Sequence, residues 1–166
     1  LGELVKQGKV RQIGLSNETP WGTMKYLELA ETKSLPRVAS IQNAYNLVNR
    51  GFEIGLSEVA MHEQVGLLAY SPLAQGTLTG KYLGGQMPQG SRLALFGDGP
   101  LMMRYKGDKT QQAIEMYVNL AKKYESDPAQ LAIQFCNIQP FVTSTIIGAT
   151  TMEQLKTCIA VSYTHL

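Results

Sequence analysis

Short apolar runs alternate with longer segments of helical periodicity along most of this chain. The apolar runs have the length of strands and end in polar residues, at positions 10–15, 38–41, 66–69 and 143–147. Helical spacing of apolar residues predicts helices over 20–33, 52–64, 110–124 and 128–138. Residues 73–109 hold several glycines and prolines and no long periodic segment, so we expect a loop excursion there. The repeated alternation of strand and helix predicts a parallel α/β sheet.

Capping residues support the predicted helix boundaries. Thr19 precedes Pro20, which places an N-cap before a proline at the first helical position. Asp127 opens a capping box with the same arrangement. Either Thr150 or Thr151 caps a final helix.

The first residues of the chain have the apolar spacing expected for the last turns of a helix. Leu1, Leu4 and Val5 follow helical i, i+3, i+4 spacing, and Gly8 ends the pattern as a C-terminal cap would. Because no methionine precedes this helix, we expect the chain to be a fragment of a longer protein.

Two architectures fit a parallel sheet of this kind: a doubly wound sheet and part of an eight-stranded barrel. The doubly wound nucleotide-binding sheet usually carries a G-x-G-x-x-G turn after its first strand. Neither that turn nor a Walker P-loop occurs in this sequence. In both architectures the functional site lies at the carboxyl ends of the strands. Polar residues follow all four predicted strands, so we expect the site at that edge of the sheet.

Composition and charge exclude several classes of function. The 166 residues are enough for one globular domain, and the 44% hydrophobic content is ordinary. A formal net charge of +2 argues against nucleic-acid binding, and no apolar run approaches the roughly 20 residues of a membrane span. Cys136 and Cys158 have neither disulfide-framework nor metal-ligand spacing, and no signal peptide opens the chain. We therefore expect no metal and a cytoplasmic location.

Side chains at three successive strand ends suit a nicotinamide. Ser16, Asn17 and Gln42 offer donors and acceptors for a planar carboxamide, and Tyr70 offers an aromatic face for stacking. Each residue also fits a purely structural role, since Ser16 and Asn17 are ordinary capping residues and Tyr70 has the character of a half-buried core tyrosine.

Groups that bind anions follow in the same order. The turn over 71–76 supplies backbone N–H groups and a hydroxyl, which suit phosphate oxygens. Lys81 and Arg92 lie in the excursion, and residues 148–151 lead into a helix N-terminus, which also favours anions. Lys81 and Arg92 are otherwise solvated loop charges. The order of these groups along successive strands favours a site for a nicotinamide dinucleotide.

The chain contains four strings in a characteristic order: GKVRQIGLSN, IQNAYNLVNR, LLAYSPLAQGTLTGKY and STIIGATTMEQLKT. Together they resemble the Tas-like branch of the aldo-keto reductase family, which is related to the voltage-gated potassium-channel β-subunits. The resemblance extends from Leu1 to about Ile159. It implies that the chain is a fragment, the C-terminal half (strands 5–8) of a (β/α)₈ TIM-type barrel.

The resemblance also implies a site for NADPH at the carboxyl ends of the strands. The nicotinamide would be held by Ser16, Asn17 and Gln42, with Tyr70 stacked on its ring. The phosphates would lie near Ser71, Leu73, Gly76, Lys81 and Arg92. The adenosine end would be surrounded by Gly148, Thr150, Gln154 and Cys158.

The catalytic aspartate, tyrosine, lysine and histidine of the family belong to strands two to four, so the resemblance implies no catalytic residue in this chain. His62 falls on a predicted helix and His165 in the tail, and neither matches that set. The Cys158 position usually carries asparagine in the family, so an adenine contact is expected to be lost. The family pattern ends near residue 160. We expect one partial barrel domain over 1–166 with a non-native tail from about 160.

The leading interpretation is an NADPH-dependent oxidoreductase that reduces aldehydes or ketones, with this chain carrying only the cofactor-binding half and being inactive alone. Its partner is a small-molecule carbonyl substrate. The alternative is an NADP(H)-binding regulatory module that resembles the channel β-subunits. A barrel lyase with Lys81 as a Schiff-base amine is disfavoured, because Lys81 follows Gly80 in a loop rather than ending a strand.

Overall fold

The computed structural model describes residues 1–97 and 99–161, so most of the predicted tail, including His165, lies outside the described residues. Four strands form one sheet in the order β1-β2-β3-β4, at Ile13–Ser16, Val38–Ala44, Gly66–Tyr70 and Val142–Thr145. Every neighbouring pair is parallel. The prediction of a parallel α/β sheet is therefore confirmed.

Helices connect the strands and bring the chain back to the same edge each time. Helices α1 to α8 are Gly2–Lys6, Pro20–Thr32, Leu56–His62, Arg92–Phe96, Pro100–Met103, Asp108–Lys123, Pro128–Asn137 and Met152–Ala160. The crossover from β1 to β2 contains α2, and the crossover from β2 to β3 contains α3. The long crossover from β3 to β4 contains α4 to α7. The carboxyl ends of all four strands consequently meet at one edge of the sheet.

The excursion departs most from its prediction as loop. It contains 3₁₀ turns at Ala74–Thr79 and Leu83–Gly85, and the short helices α4 and α5. Each of these pieces is too short to show helical periodicity in the sequence, which is why the pattern did not reveal them. The following helix, α6, begins at Asp108, slightly before its predicted start.

Three other boundaries are corrected. The predicted helix over 52–64 is a 3₁₀ turn followed by α3, because Gly55 between them has a φ of +84° and interrupts the helical conformation. Strand β1 begins later than predicted, at Ile13. Strand β4 ends at Thr145, earlier than predicted, although Ile146 N still donates to Ala69 O at 2.8 Å.

The predicted N-caps form, but the capping box at Asp127 lacks its second bond, since the Gln130 side chain accepts nothing from Asp127 N in the described part of the chain. The Thr19 hydroxyl accepts a hydrogen bond from Gly22 N at 3.1 Å, and Pro20 occupies the first turn of α2. An Asp127 carboxylate oxygen accepts from Ala129 N at 2.7 Å at the start of α7. Of the two candidate threonines for α8, Thr151 is the cap. These bonds satisfy N–H groups that the first helical turn leaves without partners.

The core lies between the helices and one face of the sheet. Ile41, Leu67 and Ala69 are at most 1% exposed, and they pack in a buried cluster with Tyr45 and Phe52. None of the described helices is long and apolar enough to cross a membrane. In the described ranges, no group of three or more His, Cys, Asp or Glu side chains could hold a metal ion.

The opposite face of the sheet carries small or polar side chains. One row crosses all four strands in register and consists of Ser16, Gln42, Leu68 and Ser144. Three of these residues are exposed, and Leu68 is half-buried. In the neighbouring row, Gly66 makes room for Thr143, because a Cβ on Gly66 would overlap the Thr143 hydroxyl.

Candidate functional site

The first strand end holds Tyr70 in place across the sheet. Ser16 ends β1, and the next residue, Asn17, has a left-handed φ of +54°, a region that asparagine tolerates better than most residues. Asn17 Nδ2 donates to Ser16 Oγ at 3.1 Å. The Tyr70 hydroxyl donates to Asn17 Oδ1 at 2.7 Å. This bond fixes the orientation of the Tyr70 ring at the end of β3.

Gln42 lies between these two residues on β2. Its side chain is exposed and has no hydrogen-bond partner among the described residues. Its register partner on β1 is Ser16. An amide on this open face, beside a fixed aromatic ring, can form paired hydrogen bonds with a planar carboxamide.

The turn after β3 has an unusual backbone. Four of its residues have left-handed φ values: Ser71 (54°), Ala74 (47°), Gln75 (60°) and Gly76 (93°). Three of them are not glycine, and such conformations store strain that clusters at functional sites. The backbone N–H groups of Ser71 and Leu73 donate no hydrogen bond to any described residue. Exposed N–H groups in a left-handed turn form a concave site for anions.

Two cations flank this turn. Arg92 donates to Gln75 Oε1 at 2.5 Å, and Gln75 Nε2 donates to Ser71 Oγ at 2.8 Å. Lys81 lies directly over Gly76, where an added Cβ would come within 2.9 Å of its Cε and 3.0 Å of its Nζ. Neither cation forms an ion pair with a carboxylate in the described part of the chain. Uncompensated positive charge beside unbonded N–H groups suits phosphate oxygens.

The fourth strand end adds a helix start. Thr150 N and its hydroxyl both donate to Gln154 Oε1, at 3.0 and 3.1 Å, and Thr151 caps α8. A Cβ added at Gly148 would have open space around it. This strand end is joined to the turn after β3, since Leu73 and Ile147 pack against the same buried cluster.

Cys158 belongs to that buried cluster. It is 6% exposed and packs with Ile133 and Val161. Burial raises the pKa of its thiol, and the nearby Asp127 raises it further. Cys158 follows Gln154 by one helical turn. Only a small part of the Cys158 side chain is therefore accessible to an adenosine, and its role there stays a prediction.

Two further residues without a predicted site role lie where the structure offers no site. His62 ends α3 on an exposed surface, next to the start of β3 and thus at the edge of the sheet opposite the predicted site. Cys136 is fully buried, and its thiol lies 3.5 Å from Tyr45 O. Burial raises the pKa of Cys136 to about 12, so it stays a thiol, as expected for a small buried residue.

Sequence reasoning missed Asn46, which connects three parts of the site. Asn46 is fully buried, and its Nδ2 donates to Ser71 O at 2.8 Å and to the Tyr105 hydroxyl at 3.2 Å. Its Oδ1 accepts from Val48 N at 3.0 Å. The bond to Ser71 O holds the start of the left-handed turn. Asn46 occurs within the string IQNAYNLVNR, but nothing in its spacing indicates a partner in the excursion.

Sequence reasoning also missed Arg104, at the end of α5. Its guanidinium group lies at the Tyr70 hydroxyl, and this contact raises the pKa of Arg104. Arg104 and Tyr70 line a cavity of about 260 Å³ at the carboxyl ends of the strands. The remaining lining residues are Asn17, Asn43, Ala44, Asn49, Gly51, Phe52 and Leu56.

A larger hollow lies at the opposite edge of the sheet. It is lined by Gln64, Gly66, Pro140 and Thr143, among others, and contains none of the predicted site residues. Since β3 and β4 begin there, this hollow is at the amino ends of the strands. Parallel α/β sheets place their functional sites at the other end, so we assign the site to the carboxyl edge.

Comparison with known proteins agrees with the resemblance of the four strings. The model of the Aldo/keto reductase family matches residues 1–166. Protein tas of Escherichia coli (strain K12) is 54% identical over 159 residues, which are 96% of this chain and 45% of that protein. L-glyceraldehyde 3-phosphate reductase of the same organism is 34% identical over 159 residues, 94% of this chain and 45% of that protein.

A match to a channel subunit is more limited. The probable voltage-gated potassium channel subunit beta of Oryza sativa subsp. japonica is 41% identical over 91 residues, which are 55% of this chain and 28% of that protein. The chain spans about half the length of the curated relatives that it matches along most of its sequence.

Proposed function

The chain belongs to the aldo/keto reductase family, and we propose that its strand ends hold NADPH in an oxidoreductase that reduces aldehydes or ketones to alcohols. The observation that carries this proposal is the order of groups along the carboxyl edge. The Gln42 amide at the end of β2 has no described hydrogen-bond partner, the fixed Tyr70 ring ends β3, and the left-handed turn after β3 is flanked by two cations without a described carboxylate partner. The amide and the ring suit a nicotinamide, and the turn with its cations suits a pyrophosphate.

At the nicotinamide end, three side chains would bind the carboxamide and one would stack. Gln42 is exposed, its side-chain amide has no hydrogen-bond partner among the described residues, and Ser16 lies next to it in register. Asn17 would also contribute to the carboxamide site, while its Oδ1 accepts the hydrogen bond that holds the Tyr70 ring in position. When bound there, NADPH would supply the hydride for reduction of the substrate carbonyl. The fixed ring of Tyr70 would restrict the nicotinamide to one face and one position.

At the phosphate end, the turn after β3 would bind through backbone N–H groups. Ser71 and Leu73 supply those groups, and the absence of a side chain at Gly76 lets Lys81 lie against the turn. Lys81 and Arg92 add positive charge. The adenosine end would lie on Gly148, Thr150 and Gln154, with Cys158 one turn further along α8. Two cations together with a helix start favour the 2′-phosphate of NADPH over the hydroxyl of NADH.

The proton donor is proposed to come from another part of the protein. We place this chain as strands 5–8 of a (β/α)₈ barrel, with a partial barrel domain over 1–166 and a non-native tail from about 160. In that arrangement the family's aspartate, tyrosine, lysine and histidine precede this chain in a full-length parent protein. We also propose a cytoplasmic location and no metal.

A regulatory NADP(H)-binding module is the second candidate, favoured by the match to the rice channel subunit. The same cofactor site would then report cofactor state to a partner instead of supporting turnover. The two candidates differ in whether the rest of the parent protein completes a proton-donating set.

An assay of the full-length parent protein tests the proposal. NADPH oxidation is followed at saturating cofactor with 4-nitrobenzaldehyde and a dicarbonyl compound, and NADPH binding is followed separately by fluorescence. Turnover together with binding supports the reductase. Binding without turnover on any carbonyl compound favours the regulatory module, and the absence of binding contradicts both.

A further inference from the structure

Arg104 is the only charged residue that lines the cavity beside Tyr70 in the described part of the chain. It is exposed, and no described carboxylate forms an ion pair with it. It has no role in the proposed cofactor site, since the turn and its own two cations account for the phosphates. Arg104 therefore lines this cavity without a counter-ion from the described residues.

The backbone that carries Arg104 is held firmly. The next residue, Tyr105, is 1% exposed, and its hydroxyl accepts a hydrogen bond from the buried Asn46 at 3.2 Å. Tyr105 O accepts from Gln111 Nε2 at 2.6 Å. Arg104 is thus presented by a fixed segment rather than by a freely moving loop, which lowers the conformational entropy lost when it binds a ligand.

The Arg104 head group keeps donors available. The Tyr70 hydroxyl donates its proton to Asn17, so only its oxygen lone pairs remain for the guanidinium group. A guanidinium has about five N–H donors in a planar fork, and the hydroxyl oxygens of Tyr70 and Tyr105 engage only part of them. The Asn49 side chain lines the same cavity and has no hydrogen-bond partner among the described residues. The cavity therefore offers a cation with spare donors and a neutral amide, and no lining carboxylate to compete.

We propose that this cavity is a subsite for an anionic group of the carbonyl substrate, a carboxylate or a phosphate, and that Arg104 anchors it. The subsite rests on the proposed reductase function. Tyr70 connects the anion subsite with the nicotinamide site, because its ring is the proposed platform for the nicotinamide and its hydroxyl edge lies at Arg104. An anion held at Arg104 would place the remainder of the substrate close to the nicotinamide, so the enzyme would select carbonyl compounds with a charged end.

Matched substrate pairs in the full-length parent protein test the subsite. The carboxylate pair is 4-carboxybenzaldehyde and its neutral methyl ester, and the phosphate pair is 4-formylphenyl phosphate and 4-methoxybenzaldehyde. Arg104→Gln removes the charge and keeps an amide of similar reach. Lys109→Gln removes an exposed charge from α6, outside the cavity, and serves as the matched control.

Arg104→Gln is expected to lower kcat/KM for at least one anionic substrate by about 10- to 100-fold, mainly through KM, since charge-assisted hydrogen bonds are the strong ones. Values for the neutral partners, the NADPH dissociation constant and all Lys109→Gln values should change by no more than about twofold. The pair that responds identifies carboxylate or phosphate as the preferred group. An equal loss for charged and neutral substrates, a loss of NADPH affinity, or no loss at all would each overturn the proposal.

Calorimetric titration separates this proposal from the reductase function. Benzoate and phenyl phosphate are titrated into the parent protein with bound NADP⁺, and into both variants. Binding of either anion that Arg104→Gln abolishes and Lys109→Gln preserves supports the subsite even if no carbonyl compound is turned over. Turnover of neutral aldehydes without any Arg104-dependent anion binding supports the reductase and contradicts the subsite.

Discussion

One face of the sheet is covered by helices, whereas the other carries small and polar side chains that face outward. On the covered face, Ile41 and Leu67 are at most 1% exposed. On the uncovered face, Ser16, Gln42 and Ser144 are exposed although they lie on the same strands. Successive side chains of a strand point to opposite faces. One set of alternate positions therefore packs in the core, and the other set faces the proposed site.

The two faces also differ in what completes them. The covered face is packed against α2, α3 and α7, although Ile13 and Leu15 on β1 stay partly exposed. On the outer edges of β1 and β4, no further strand pairs among the described residues. In the proposed barrel, further strands would pair with those edges and enclose that face.

The largest expected effect concerns chemistry on the uncovered face. The chain as given should show no reductase turnover with NADPH and 4-nitrobenzaldehyde, because no residue at its strand ends matches the family's proton donor. General acid catalysis alone contributes about 10²- to 10⁴-fold. The control is the parent protein, or a chimera in which this chain replaces the matching segment of the E. coli protein tas. Clear turnover by the pure chain, lost in His62→Ala or Tyr105→Phe, would reveal a catalytic group within it.

A pair of core substitutions measures the difference between the faces directly. Leu67→Ala should lower the free energy of unfolding by about 2–5 kcal/mol, because its side chain is fully buried against the helices. Leu68→Ala, on the neighbouring position of the same strand, should cost much less in the isolated chain, since its side chain is only half-buried.

Urea denaturation followed by circular dichroism gives both values. The same pair in the parent protein is expected to show a larger cost for Leu68→Ala, as the barrel would cover that face. Equal costs of the two substitutions in the isolated chain would mean that the uncovered face is packed against something else.

Asn46→Ala should act on the site through the turn after β3. It removes the donor to Ser71 O and to the Tyr105 hydroxyl, which leaves buried polar groups unpaired at a cost of about 1–3 kcal/mol. In the parent protein we expect the NADPH dissociation constant to rise by roughly 5- to 100-fold, in proportion to that cost. Asn49→Ala is the matched control, since no described residue bonds to its side chain. An unchanged dissociation constant for Asn46→Ala would separate the turn from cofactor binding.

The smallest expected effect is a pH dependence at the rim of the covered face. The Glu53 carboxylate accepts hydrogen bonds from Arg50 at 2.7 and 2.8 Å and from the Tyr45 hydroxyl at 2.6 Å. The bonds from Arg50, followed by that from Tyr45, lower the pKa of Glu53 despite its partial burial. This contribution to stability is therefore full above the ordinary carboxyl pKa and is lost as the pH falls through the lowered value.

Because Arg50 is largely exposed, the contribution should be below about 1 kcal/mol. Urea midpoints measured between neutral and acidic pH, for the wild type and Glu53→Gln, isolate it. The difference between the two proteins should shrink towards acidic pH. A difference that stays constant would remove the ion pair as its source.

Sequence reasoning located the strands and the longer helices, and its assignment of cofactor-binding residues stays a prediction. Apolar spacing depends only on neighbouring residues, and so do helix caps such as Thr19 and Asp127. These local signals are sufficient to locate strands and helices along the chain. Residues at strand ends, such as Asn17 and Tyr70, were proposed for the site for a related reason, because parallel strands bring their ends together, and the hydrogen bond between these two residues shows that they meet.

Residues that act through long-range contacts were not predictable in this way. Asn46 and Tyr105 are 59 positions apart and meet only after the excursion folds back over the strand ends. Arg104 is carried there by the short helix α5, whose few residues leave no periodic signal. Local patterns cannot report which side chains such a segment brings to the site.

A fluorescence titration of two residues in one row tests most directly whether the carboxyl edge of this sheet binds NADPH. Gln42 and Ser144 both lie in the exposed row of the uncovered face, but only Gln42 is assigned to the nicotinamide. In the parent protein, Gln42→Leu should raise the NADPH dissociation constant by about 3- to 10-fold, as expected for lost hydrogen bonds, whereas Ser144→Ala should leave it unchanged. Equal effects of the two substitutions, or no NADPH binding by the wild-type parent, would contradict a cofactor site at this edge.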